Sequence, residues 1–160
     1  MNNYTLYNGD CLEVMDSIAD ESIDLILCDL PYGTTDRSGQ NKSSSSPAKN
    51  VGTRLLKWDT VIPLDILWSK YKRILKPKGA VVLTADQPFT SQLIMSNIEW
   101  FKYEWIWKKK KTTGFLLANY RPMKQTEDVV VFSSAGASGA SHKGGNSMTY
   151  NPQGLIEKKV

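Results

Sequence analysis

The residue pattern predicts an α/β fold: a mostly parallel sheet with an antiparallel hairpin at its edge. Three observations predict it. Short apolar runs alternate with segments of helical spacing over roughly the first ninety residues. Turn and helix-start residues mark each change of period. A long aromatic segment with a period of two then follows. A β-α-β-loop-α-β-α order argues for parallel strands joined by right-handed crossovers.

The elements follow in chain order. Tyr4 to Tyr7 reads as a short strand ending at Asn8-Gly9-Asp10. In CLEVMDSIA, Leu12, Met15 and Ile18 share one helical face. Leu25, Ile26, Leu27 and Cys28 read as a buried strand that runs into Asp29. Residues 34–51 are almost devoid of apolar side chains and contain four consecutive serines, the composition of a mobile loop. Pro63 then opens a helix striped by Leu64, Leu67, Trp68, Tyr71, Ile74 and Leu75. KPKG stops that helix, AVVLTAD reads as a buried strand, and QPFTSQLIMSN starts another helix. In WFKYEWIWKKK, Phe101, Tyr103, Trp105 and Trp107 alternate with the residues between them. That aromatic face is expected to be core under a helix, and the strand is expected to pair antiparallel with EDVVVFSS. Residues 135–149 are Gly/Ser-rich and read as a flexible segment, with no helical pattern after Gly139.

With 160 residues the chain suits one domain, 1–160, with a real core. Hydrophobic residues are 41% and charged residues 22%, as in ordinary globular proteins. No apolar run has membrane-spanning length, and the N-terminus lacks a signal-peptide pattern. Cys11 and Cys28 form no disulfide framework, and with His142 as the single histidine no metal centre is expected. These features read as a reduced, cytoplasmic protein with no membrane partner. The formal net charge of +4 is compatible with a polyanionic partner and equally with a solvated basic surface.

The chemistry concentrates at Asp29-Leu30-Pro31-Tyr32, at the carboxyl end of a strand, where open α/β sheets bind ligands. Pro31 fixes its own φ and biases Leu30 to an extended backbone. Asp29 supplies acceptor oxygens and Tyr32 a flat face. Together they can receive a planar group with an exocyclic amine: the carboxylate takes one N–H, a backbone carbonyl the other, and the ring stacks on the plane. A capping aspartate before a turn proline explains the same residues without a ligand.

The segment DLPYG resembles the Asp-Pro-Pro-Tyr signature of DNA adenine-N6 methyltransferases that use S-adenosylmethionine. LYNGDCLEVM, WDTVIPLDILWSKYKRILKPKGAVVLTADQPF, WIWKKKKTTGF, KQTEDVVVF and YNPQG are similar to segments of that family in the same order. The resemblance covers about residues 4 to 154 and implies a Rossmann-like methyltransferase sheet in circularly permuted order, with the catalytic turn first. It implies a chain that transfers a methyl group to the N6 amine of a flipped adenine in double-stranded DNA, in host or phage modification. By that resemblance Asp29 and the Leu30 carbonyl hold the amine, Pro31 shapes the turn, and Tyr32 stacks on the base. The cofactor is expected against Asp10, Cys11, Asp29, Gln87 and Pro88, with Phe89 able to wall the same pocket. Lys108, Lys109, Lys110 and Lys111 could touch phosphates, or form a solvated strand end. The loop 34–51 is expected to close over the base or the DNA.

Two departures stand out. Leu30 replaces the more usual first proline, with its carbonyl still available. The Gly-rich turn that would seat the cofactor's methionine end is absent; the glycines of VVVFSSAGASGASHKGG follow a strand better explained as half of the hairpin. In the permuted order that loop is due after YNPQG, so the resemblance implies an incomplete catalytic domain with a missing C-terminal half or a complementing chain. Two other readings stay open. One is cytosine-N4 methylation, for which serine is commoner at the Asp29 position. The other is a non-catalytic nucleic-acid-binding remnant.

Overall fold

The computed structural model describes residues 4–33 and 59–151. The expected loop 34–51 lies outside the described residues, as do Gly154 and the rest of the C-terminal nine. The element order is helix α1 (Cys11–Val14) with a 3-10 turn Met15–Ser17, strand β1 (Ile23–Asp29), helix α2 (Leu64–Ile74) and strand β2 (Leu75–Ala85). Helix α3 (Phe89–Ser96), strand β3 (Phe101–Thr113), a 3-10 turn Phe115–Leu117, strand β4 (Lys124–Phe132) and helix α4 (Gly139–Lys143) complete it.

The four strands form one sheet in the order β1-β2-β4-β3. β1 and β2 pair parallel, while β2–β4 and β4–β3 pair antiparallel, so the sheet is mixed, with three of its four strands pointing the same way. The expected antiparallel hairpin at the edge is present. Because β4 reverses twice, β3 points the same way as β1 and β2, and Asp29, Thr84, Val129 and Trp105 form one row across the sheet.

The core lies between the sheet and α2/α3. Leu67, Trp68, Tyr71 and Ile74 are the buried stripe of α2, the spacing expected from sequence. They meet Val81, Leu83, Val130 and Phe132 from the sheet and Phe89 and Leu93 from α3. Trp68 sits edge-on to Phe132 with ring centroids 4.8 Å apart, and its indole N–H donates to Ser96 Oγ at 2.7 Å. β2 begins directly at Leu75, so KPKG lies within the strand rather than ending the helix as a turn. Gly79 is needed there: a Cβ would lie 3.0 Å from the Asp24 carbonyl oxygen and 2.8 Å from Leu75 Cγ. That close approach accompanies the register shift between Ile23 and Leu25.

Several expectations change. Residues 4–7 form no strand, and Tyr4, Leu6 and Tyr7 are exposed, since no strand pairs with them among the described residues. The strand before Asp29 is buried on one face only. Leu25 and Leu27 are 53% and 70% exposed, because α2 and α3 cover the other side. The aromatic alternation of β3 is interrupted. Phe101 and Tyr103 pair with the adjacent Phe132 and Val131, a bulge at Lys102 that turns the later side chains to the opposite face. Phe101 therefore joins the main core, and Tyr103 joins a second cluster with Ala80, Val131, Ala135 and Met148. Trp105 and Trp107 are half-exposed instead of lying under a helix. Within residues 135–149, read as structureless, α4 forms after Ser138, whose Oγ accepts from Ser141 N–H at 3.2 Å.

Candidate functional site: the turn after β1

β1 ends at Asp29, whose side chain is exposed, and Leu30 then buries its own side chain at 5% exposure. That buried leucine anchors the turn, so the carboxylate is presented from a fixed backbone. Thr84, the register partner of Asp29 on β2, donates its hydroxyl to Asp29 Oδ1. The Tyr32 hydroxyl lies 2.8 Å from the same oxygen and 2.7 Å from Thr84 Oγ1. Oδ2 has no hydrogen-bond partner among the described residues. Burial pushes the Tyr32 phenol well above its ordinary value, with the Asp29 charge adding in the same direction, so it stays a donor.

The Tyr32 ring stacks on Phe89 at a centroid distance of 5.4 Å and an interplanar angle of 23°. Gly33 closes the turn with φ +64°, and its N–H donates to Asp59 Oδ1 at 3.0 Å. A Cβ on Gly33 would meet Val61 Cγ2 at 2.7 Å, so both conformation and space require glycine. Pro31 lies half-buried between these anchors.

The remaining expected residues are placed as follows. Asp10 caps α1, accepting from Leu12 N–H at 2.8 Å, the role a turn aspartate would take. Cys11 is the first residue of that helix and is an exposed free thiol. Gln87 and Pro88 form the corner after β2, joined by a cis peptide, and Ser91 donates to Gln87 Oε1 at 2.8 Å. That corner leads into Phe89 at the start of α3, so Asp29, Tyr32, Thr84 and Phe89 form one constellation beside it. Lys109 pairs with Glu127 and lies 5.4 Å over the Trp107 ring. Lys108, Lys110 and Lys111 are exposed, with no carboxylate partner among the described residues.

Thr84 and Asp59 escaped the sequence reading. The one available signal for Thr84 was a hydroxyl at the carboxyl end of an otherwise apolar run, VVLTA. Asp59 precedes its helix by several residues and had no local signal.

For a cofactor, the described residues offer carboxylates and a stacked aromatic pair, groups suited to amines and a planar base. They offer no cradle of glycines opening a full-length helix. The glycine-rich stretch after β4 demands glycine for packing at Gly136, where a Cβ would fall 1.8 Å from Ser141 Oγ, and not at Gly139, where a Cβ would meet open space. It lines a cavity of about 910 Å³ with Lys78, Tyr103, Trp105, His142 and Tyr150, on the sheet face away from α2 and α3.

No family model matches the chain. Over 112 residues it is 31% identical to the Type II methyltransferase M.HinfI of Haemophilus influenzae, covering 66% of this chain and 31% of that protein. Its fold is similar to PvuII DNA methyltransferase (cytosine-N4-specific), with TM-score 0.52 and 19% identity over 80% of this chain and 48% of the other. It is likewise similar to the M1.HpyAVI–SAM complex, with TM-score 0.52 and 16% identity over 82% and 54% of the two chains. The chain therefore spans about a third to a half of the proteins it matches. In fold this chain is similar to DNA methyltransferases of known structure, and over about two thirds of its length its sequence is similar to a Type II methyltransferase; it spans only part of each.

Proposed function

We propose that this chain is the base-gripping part of an S-adenosylmethionine-dependent DNA methyltransferase that acts on the N6 amine of adenine. The observation that carries the reading is the Asp29 carboxylate, exposed at the carboxyl end of β1 with Oδ1 held by Thr84 and Tyr32 and Oδ2 unpartnered among the described residues. An exocyclic amine would donate one N–H to Asp29 and the other to the Leu30 carbonyl. Both acceptors draw the nitrogen lone pair out of the ring and aim it away from the turn. The Tyr32 ring, backed by the buried Phe89, would meet the flipped base, with stacking worth roughly 1–3 kcal/mol per base.

S-adenosylmethionine, when bound, supplies an electrophilic methyl group. The new N–C bond forms as the C–S bond breaks, and the nitrogen then loses a proton to the carboxylate or to water. Positioning and polarisation carry the rate, and no strong base is required. Asp10, Cys11, Gln87 and Pro88 are the proposed cofactor neighbours in this chain. A glycine cradle for the methionine end is assigned to a complementing segment or chain, in the permuted order that the sequence resemblance implies. The carboxylate of Asp29 favours adenine over cytosine-N4 as substrate, and Lys108, Lys110 and Lys111 are the proposed phosphate contacts.

The test is transfer of labelled methyl from S-adenosylmethionine to a pool of unmethylated duplexes by the chain together with its complementing segment. Asp29→Ala should lower kcat by about 10²–10³, the cost typical of one lost stabilising group, with little change in DNA affinity. Transfer that survives Asp29→Ala would remove the turn from the active site.

A further inference from the structure

The β3–β4 hairpin outruns the rest of the sheet. β2 stops at Ala85 opposite Asp128, yet β3 continues to Thr113 and pairs there with Lys124. On β4 only five residue steps, Val129 to Lys124, span the stretch that Trp105 to Thr113 spans on the bulged β3, so at ~3.3 Å per residue the paired arm reaches about 17 Å beyond the row that contains Asp29. β3 runs parallel to β1, so the arm projects from the same end of the sheet as the Asp29 turn. Three strand spacings of about 4.8 Å, roughly 15 Å, separate the arm from β1.

The arm has two chemical zones. Along its length Lys108, Lys110 and Lys111 are exposed without carboxylate partners among the described residues, and Arg121 is exposed near its end. Lys109 and Lys124 are instead paired with Glu127 and Asp86, which fix the arm's base. At the tip, Gly114 adopts φ +88° and turns the chain into the 3-10 turn that follows. There Phe115, Leu116 and Tyr120 are 79%, 90% and 87% exposed. Large apolar side chains so fully exposed at the end of a cationic arm are not packed against the described residues.

We propose that this hairpin is a DNA arm: its lysines track phosphates, and Phe115 and Leu116 enter the stack as an apolar wedge. The inference rests on the reading that duplex DNA is the substrate. Cationic contacts alone give salt-dependent, sequence-blind affinity. Apolar side chains at a tip add a different capability, since phenylalanine and leucine wedges unstack a base step and kink the duplex. A duplex laid across the carboxyl ends of the strands meets both elements at once. The wedge opens the stack near the base that Asp29 and Leu30 would hold, which lowers the cost of extruding it.

The test is fluorescence anisotropy of the full chain with random-sequence duplexes, intact or carrying one abasic site, over a salt series. The wild-type chain should prefer the abasic duplex by about tenfold, because the unstacking cost is already met there. Phe115→Ser with Leu116→Ser should abolish that preference and leave the salt slope unchanged. Lys108→Gln with Lys110→Gln and Lys111→Gln should lower the slope by about 2–3 and retain the preference. A preference that survives the serine pair overturns the wedge, as does its absence in the wild type. Self-association of the chain that the serine pair abolishes would instead assign the tip to a second copy and overturn the DNA arm. Methyl transfer measured in parallel, with the complementing segment present, separates the two readings. Lost transfer with an intact tip-dependent preference counts against the Asp29 assignment alone, and retained transfer without the preference counts against the arm alone.

Discussion

Asp29 was legible as a residue because a charge, a proline and an aromatic follow one another where an apolar strand must end. The partners that hold it were not. Thr84 lies on another strand and reaches Asp29 only through the parallel register of β1 and β2. Asp59 reaches Gly33 across residues that carry no periodic signal. Gly33 bears the tightest steric demand of the turn. Gly33→Ala should cost about 1–2 kcal/mol from its left-handed backbone and more from contact with Val61, read as a lowered thermal midpoint. The buried phenols give a pH dependence. Burial raises the pKa of Tyr71 and of Tyr32 above the ordinary 10.0, so the folded chain binds these protons more tightly than the unfolded chain does. Their contribution is complete below pH ~10 and declines as the pH rises above it. Thermal midpoints should fall between pH 9.5 and pH 11, and Tyr71→Phe should flatten that fall. An unchanged slope in Tyr71→Phe would remove Tyr71 as a cause. Cys28 follows the same logic: burial pushes its thiol up, which leaves it protonated and poorly reactive.

Among the elements, α2 was legible because its apolar stripe at helical spacing meets only one surface, and burial follows spacing directly. The strands were less so. A period of two names which residues share a face, but not which face is covered, and it fails at a bulge. One extra residue at Lys102 sends Tyr103, Trp105 and Trp107 to the side opposite Phe101. β1 shows the first limit: four apolar residues in a row suggest two covered faces, yet Leu25 and Leu27 are exposed. The two sides of the sheet should respond differently to truncation. Leu67→Ala, at a site with no exposure, should cost about 2–5 kcal/mol in denaturant unfolding. Leu27→Ala should stay within about 0.5 kcal/mol. A large loss at Leu27 would mean that the outer face of β1 is covered in solution. α4 was hidden for a further reason: five residues give no period to read, and a serine cap and contacts around Ser141 hold it.

For the whole molecule, the carboxyl ends of β1 and β2 gather the candidate chemistry, while the cavity on the opposite face belongs to the packing of the segment after β4. Among the described residues no helix is long and apolar enough to cross a membrane. From α1 to α3 the order of elements was readable from alternation, and the edge hairpin from its two adjacent β patterns. Which hairpin strand docks on β2 was not readable, since sequence order does not fix it. The whole account turns on one claim, that the Asp29 turn holds an adenine amine for methyl transfer. The most direct measurement is mass spectrometry of nucleosides from unmethylated DNA incubated with S-adenosylmethionine and the chain together with its complementing cofactor segment, wild type or Asp29→Ala. N6-methyladenine with the wild type and about 10²–10³-fold less with the variant is the predicted result. N4-methylcytosine in its place, or a yield indifferent to Asp29, would contradict it.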